Sequence, residues 1–336
     1  MNRLLTRDPK TPPSSQVSHA LTVEQIRDLL DKGIKVIMKQ ELAAPLIGRK
    51  LFRTMTVEDD AGRFGSPGGF TGLVPLNRDG DTMPFLRSYS EFSWEWSTFQ
   101  FRAAIAIERK TVELDRFGQV KKAQRDLLNA FKRTQEYVFA DVFNRAFGTT
   151  GSLLLASDGC YLIDEDRPNP DPAAGTWSNL EATADLTDET LFQAVLNARS
   201  QVGPDGHLAP TEVRQIMIGP ADEKKLWTLL TTERIVTSNY NDRSWSNSFF
   251  SWDKVIVNPY LETRAIFYIL CDTQSEENEL LYLERVKPEV LTEWGMPGLS
   301  DPDVLGQRLR AEWGIALGSP RRVIRGGLIS TSTTGG

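Results

Sequence analysis

Residues 59–84 hold Gly62, Gly65, Gly68, Gly69, Gly72 and Gly80, with Pro67, Pro75 and Pro84 among them. A helix is excluded there, because glycine keeps too much backbone freedom and proline lacks the donor a helix needs. Yet the stretch carries Phe64, Phe70, Leu73, Val74 and Leu76, too apolar a set for plain disorder. A loop this long inside a compact domain is functional or disordered. What remains is a functional loop whose apolar residues form no core of their own.

A long β signal follows over residues 85–107. Phe92, Trp94 and Trp96 alternate with Glu91, Ser93, Glu95 and Ser97. Beyond Thr98 the apolar parity flips, to Phe99, Phe101, Ala103, Ile105 and Ile107. Strand side chains alternate faces with period two, so the two halves bury different faces. Two arrangements do this: a hairpin arm lying on a neighbour, or a strand passing from one sheet layer to another.

Residues 119–147 form the strongest helix, between Gly118 and Gly148. One stripe runs through Val120, Ala123, Leu127, Phe131, Thr134, Val138, Asp141 and Arg145; a second runs through Leu128, Tyr137, Phe139, Val142, Phe143 and Phe147. At 1.5 Å per residue this helix spans about 40 Å. Upstream, residues 1–20 contain Pro9, Pro12 and Pro13 and read as an extended arm, and Thr22 caps a short amphipathic helix that Gly33 stops. Downstream, residues 150–186 are loop-rich. Thr187 caps a helix to about Val202, and a short strand spans Val213–Ile218. Pro220 is expected at N1 of a helix over 220–231. Residues 238–251 read as a surface loop; Val255–Val257, Ala265–Cys271 and Leu280–Trp294 read as strands, and Trp313–Val323 closes the fold.

Catalytic signatures are missing. The chain has no GxGxxG, no Gly-Lys pair for a P-loop and no GxSxG. Its two histidines, His19 and His207, exclude a His-based metal site. Cys160 and Cys271 make no CxxC pair and read as buried free thiols. A cytosolic thiol hydrolase would have to join Cys160 to His207, which lies in a turn. Glu58-Asp59-Asp60 and Asp79-Gly80-Asp81 read as solvated turn residues. A net charge of −6 argues against a dedicated nucleic-acid binder. Arg321, Arg322 and Arg325 read as a solvated basic end, or as a contact for an acidic partner. The longest apolar run, 265–271, falls far short of the ~20 residues a bilayer requires, and no signal peptide opens the chain. The expectation is a protein made in the cytoplasm, with no membrane contact, no cofactor and no metal.

The order of parts then becomes distinctive: extended arm, long β-hairpin loop, long helix, α/β region, terminal strands. Local wording agrees. Ser157-Asp158-Gly159-Cys160-Tyr161-Leu162, followed by Trp177-Ser178-Asn179-Leu180 and a helix opening Leu-Thr, resembles a segment of many phage major head proteins. Ile216-Met217-Ile218-Gly219-Pro220, then Leu229-Leu230, and Val255-Ile256-Val257-Asn258-Pro259-Tyr260-Leu261 are similar to later parts of the same family. The chain thus resembles the tailed-bacteriophage major capsid proteins of the Hong Kong 97 fold, over about residues 20–325.

The resemblance implies an α+β fold: residues 1–35 an N-terminal arm and short helix, 36–58 the start of the P-domain, and 59–107 the E-loop. Residues 108–150 would be P-domain with the spine helix, 151–275 the A-domain, 276–325 returning P-domain strands, and 326–336 a flexible tail. It implies self-assembly into hexamers and pentamers of an icosahedral head around double-stranded DNA, with DNA as a non-specific neighbour. Other implied partners are a separate scaffolding protein, a portal and a decoration protein. Assembly would take place in the host cytoplasm, and the mature location would be the virion capsid. An encapsulin-like nanocompartment shell is the alternative within this fold. Residues 59–102 contain no lysine, so isopeptide cross-linking from the E-loop is not expected. Phe70, Leu73, Val74, Trp94, Trp96, Trp245, Phe249 and Phe250 are the candidate inter-subunit contacts, being apolar residues outside any evident core.

Overall fold

The computed structural model describes residues 46–65, 70–71, 87–88, 92–108, 110–111, 118–148, 154–171, 174–184, 186–204, 206–231, 254–261, 266–271, 278–294 and 304–329. The helix expected at 22–33, the loop 238–251 and the candidates Leu73, Val74, Trp245, Phe249 and Phe250 lie outside them.

Two sheets share one long helix. The first has the order β1 (Arg53–Thr56), β13 (Leu280–Trp294), β14 (Val304–Leu317) and β6 (Phe99–Glu108). β1 runs parallel to β13, and the other two pairings are antiparallel. The second has the order β11 (Val255–Val257), β10 (Gln215–Ile218), β12 (Ile266–Leu270), β15 (Ile324–Ile329) and β9 (Leu180–Ala184). The helix, α1, spans Gln119–Asn144.

One apolar core joins all three. Leu127, Leu128, Phe131, Phe139, Val142 and Phe143 of α1 pack with Tyr282, Leu309 and Trp313 of the first sheet and Met217, Tyr268 and Ile324 of the second. Phe139 lies 5.6 Å from Tyr282 and 6.0 Å from Trp313 between ring centroids, and Phe143 lies 5.5 Å from Tyr268. A second cluster covers the far face of the five-stranded sheet, where α2 (Asp188–Arg199) and α3 (Glu223–Thr231) meet Ile216, Ile218, Phe267 and Ile269. Within β10 and β12 successive residues serve opposite clusters, as period two requires.

Several expectations change. Of the first α1 stripe, Thr134, Asp141 and Arg145 are exposed, and of the second, Tyr137 is exposed. The buried face instead takes in Gln124, Gln135 and Glu136. It does so because Glu136 receives the backbone N–H groups of Ile47 (2.5 Å) and Gly48 (3.0 Å), and Gln135 donates to the Tyr282 hydroxyl (3.1 Å). Asp141 and Arg145 pair across one turn at the surface. Pro220 precedes α3 in a turn and does not open the helix, which begins at Glu223. The loop-rich stretch 150–186 contains β9 as an edge strand. Residues 326–329 are no tail: β15 pairs with β12 and β9 inside the second sheet and crosses the boundary expected at 325/326. Thr187 caps α2 as expected, accepting from the Thr190 N–H at 3.2 Å.

Candidate functional site: a two-stranded ribbon, its joint and a buried arginine cluster

β2 (Ala61–Gly65) and β5 (Ser93–Ser97) pair antiparallel into a ribbon outside both main sheets. Phe64, Trp94 and Trp96 alternate as half-buried residues with exposed Arg63, Ser93, Glu95 and Ser97. The Phe64 and Trp96 rings stack at 5.3 Å, and Phe64 meets Trp94 at 5.8 Å. Together they pack on Val57, Leu281, Leu283 and Ala316. Trp94 and Trp96 therefore seat against their own chain, although among the described residues neither buried indole N–H has a hydrogen-bond partner. Phe70 enters a two-residue ladder, opposite Ser88.

The parity flip at Thr98 is the ribbon's joint. The strand breaks there: β5 belongs to the ribbon and β6 to the four-stranded sheet. At Thr98 the strand therefore passes from the ribbon to the four-stranded sheet. The Thr98 N–H and hydroxyl both bond the Asp60 carbonyl, at 2.8 and 3.1 Å, clipping the ribbon's two segments together where they leave the four-stranded sheet. Beneath the clip lies Gly314 of β14, where an added Cβ would stand 2.2 Å from the Ser97 carbonyl oxygen. Past the break, Phe101 stacks on Trp313 at 4.4 Å. A groove of about 780 Å³ separates the ribbon from α1, lined by Trp96, Phe99, Phe101, Val138, Val142 and Ile315, with Asp141 and Arg145 on its border.

The SDG and SNL wording lies elsewhere, in the crossover from α1 to the second sheet. Arg167 is fully buried and grips Asp158 with two hydrogen bonds, 2.9 and 2.8 Å, while it also donates to the Tyr161 and Leu162 carbonyls. Burial draws the Arg167 guanidinium down from its ordinary value, and the adjoining Asp158 carboxylate opposes that. The Trp177 ring takes two guanidinium groups, Arg167 at 5.1 Å and Arg321 at 4.2 Å. Arg321 also bonds Asn169 and the Val202 carbonyl. Arg325 is paired with Glu181, and its other donor reaches Gln201 at 3.0 Å. Asn179, wholly buried, accepts from the Asp164 N–H (2.9 Å) and donates to the carbonyls of Leu162 (2.8 Å) and Ile324 (3.3 Å). Neither reading of the basic end holds for Arg321 and Arg325: both are buried and partnered, and only Arg322 is exposed. No local pattern signals this, since their partners lie 119–152 residues away. With each guanidinium engaged inside the fold, the cluster is a clamp for the chain crossover.

Cys160 and His207 stand on separate turns, Cys160 half-buried and His207 exposed. Burial, and then Asp158, push the Cys160 thiol up, the wrong direction for a nucleophile. Neither cysteine forms a disulfide. Among the described residues, no group of three or more His, Cys, Asp or Glu is placed to hold a metal ion, and no helix is long and apolar enough to cross a membrane.

A long helix shared by a four-stranded and a five-stranded sheet, with a two-stranded ribbon jointed to the first, defines the Hong Kong 97-like class of shell-building fold. The family model described as "Phage capsid protein" matches residues 96–326. No curated protein sequence matches significantly. Among solved structures, a protein of Mycobacterium phage Patience is similar at TM-score 0.52 and 11% identity, covering 93% of this chain and 91% of that one. The capsid of a native GTA particle is similar at TM-score 0.53 and 10% identity, covering 85% and 91%. At such identities these likenesses establish the fold alone. The chain belongs to the phage capsid protein family.

Proposed function

We infer that the chain is the major capsid protein of a tailed phage, tiling an icosahedral head as hexamers and pentamers around double-stranded DNA. The observation that carries this reading is the family match across residues 96–326, which takes in α1 and most of both sheets. The task is geometric. One rigid body must fit six-fold and five-fold surroundings, so change has to be confined to a joint. The Asp60–Thr98 clip, with the glycine-rich loop beyond it, is suited to that, and weak contacts repeated over a closed lattice add up. Phe70, Leu73 and Val74 are the loop residues assigned to a neighbouring subunit, and the apolar groove beside α1 is the kind of surface such residues cover. No catalytic centre is assigned; the raised Cys160 thiol disfavours the hydrolase reading.

A separate scaffolding protein, a portal, a decoration protein and packaged DNA are the proposed partners, and assembly is placed in the host cytoplasm. Co-expression with the scaffolding protein, followed by sedimentation, tests the reading. Particles of shell size are expected, and a chain that stays monomeric under every condition overturns it. Leu73→Asp is expected to abolish or weaken the particles; unaltered shells would remove Leu73 from the interface.

A further inference from the structure

β6 is the end strand of the four-stranded sheet. All ten of its residues, Phe99–Glu108, register with β14 on one side. Among the described residues, nothing bonds the backbone of its other edge. In an antiparallel strand alternate residues point their N–H and C=O groups outward, so about five of each have no partner among the described residues. Open edges are normally blunted by proline, lysine or a bulge. The sequence FQFRAAIAIE has no proline, glycine or lysine, and Gln100, Arg102, Ala103, Ala104, Ala106 and Glu108 are exposed.

The strand is also complementary to itself. Placed antiparallel to a second copy with Ile105 opposite Ile105, Arg102 of each copy stands opposite Glu108 of the other. Ala104 then stands opposite Ala106, small residues that let the backbones approach. Ile105 and Ile107 stay on the face that packs toward the core, so an apolar face would run on across the boundary. Both parities of hydrogen bonding suit this register.

We propose that β6 joins β6 of a second copy of this chain about a two-fold axis, fusing two four-stranded sheets into one of eight strands. The charge complementarity of Arg102 and Glu108 selects a second copy as the occupant, since an arbitrary strand would not present both charges at that spacing. The contact is isologous, as two-fold symmetry demands. The inference rests on the shell-subunit reading above.

The test uses assembled shells of the full chain in a Cys160→Ser background. Directly opposed residues in an antiparallel pair fall within the separation a disulfide needs, whereas residues two apart in one strand hold their parallel Cβ atoms well beyond the ~3.5–4.5 Å a disulfide spans. Oxidised shells carrying Ala104→Cys with Ala106→Cys are expected to run as disulfide-linked dimers, while either single variant stays monomeric. Arg102→Glu and Glu108→Arg, each alone, are expected to raise the concentration needed for assembly about tenfold, and the double swap to restore it. Intact shells whose double-cysteine chains stay monomeric overturn the pairing. So do single cysteines that cross-link equally well, or a charge swap that fails to rescue, which would point to another occupant of the edge. Wild-type chains that form no shell refute the underlying reading instead.

Discussion

Asn179→Ala probes the clamp that carries the family's SNL wording. The side chain is wholly buried and makes three hydrogen bonds, to the Asp164 N–H at 2.9 Å and to the carbonyls of Leu162 at 2.8 Å and Ile324 at 3.3 Å. Leu162 keeps a second donor in Arg167, at 3.2 Å, so its carbonyl is not orphaned. Two good hydrogen bonds lost at ~1 kcal/mol each, plus one orphaned N–H at ~1–2 kcal/mol, give a destabilisation of ~3 kcal/mol. At roughly 2–4 °C per kcal/mol, Tm should fall by ~6–12 °C. Asn179→Asp keeps the acceptor for the Asp164 N–H but sets a buried carboxylate against two carbonyl oxygens, so it should be at least as damaging. Thermal unfolding of dissociated subunits by circular dichroism reads both. If Asn179→Ala lies within ~0.5 kcal/mol of wild type, a difference at the limit of significance for such measurements, the clamp is not holding the crossover. An Asn179→Asp variant clearly more stable than the alanine would refute the hydrogen-bond reasoning.

Other outcomes follow from the same geometry. Gly314→Ala drives a methyl into the Ser97 carbonyl, so it should cost about 1–3 kcal/mol by thermal unfolding and loosen the ribbon in hydrogen exchange of residues 93–98. Glu181→Ala strands the Arg325 guanidinium in the interior and should cost ~3–5 kcal/mol in chemical denaturation. Tyr268 and Tyr282 both have phenols pushed up by burial. Unfolded tyrosine ionises near pH ~10. Above that pH the unfolded chain releases protons that the folded chain keeps, so stability should fall as pH rises. Their phenolate absorbance should appear only with unfolding, and early ionisation in folded subunits would contradict the burial.

Much of the fold was legible because local patterns were strong. The alternation through Trp94 and Trp96, broken at Thr98, located the break between β5 and β6 to the residue and left its cause open. The Leu280–Trp294 strand and the Thr187 cap were equally plain. What escaped was non-local. Gln135 and Glu136 look like surface residues until the backbone at Ile47 and the hydroxyl of Tyr282 are brought to them. Arg321 and Arg325 look like a basic tail until Trp177, Asn169 and Glu181 close around them. β15 reads as tail because Gly326 and Gly327 dilute its apolar signal; an added Cβ on Gly327 would stand 2.5 Å from the Phe267 ring, so close packing demands glycine there. The sequence carries no sign that Trp94 and Trp96, candidate inter-subunit contacts, also pack on Leu281, Leu283 and Ala316 of their own chain.

Electron cryomicroscopy of particles recovered from co-expression with scaffold tests the central claim most directly. The account predicts closed icosahedral shells in which one subunit, with α1 between its two sheets, occupies six-fold and five-fold positions and differs between them chiefly in the ribbon, on the far side of the Asp60–Thr98 clip from the four-stranded sheet. Soluble monomers alone, or particles whose subunit density does not accept the two-sheet fold, would contradict it.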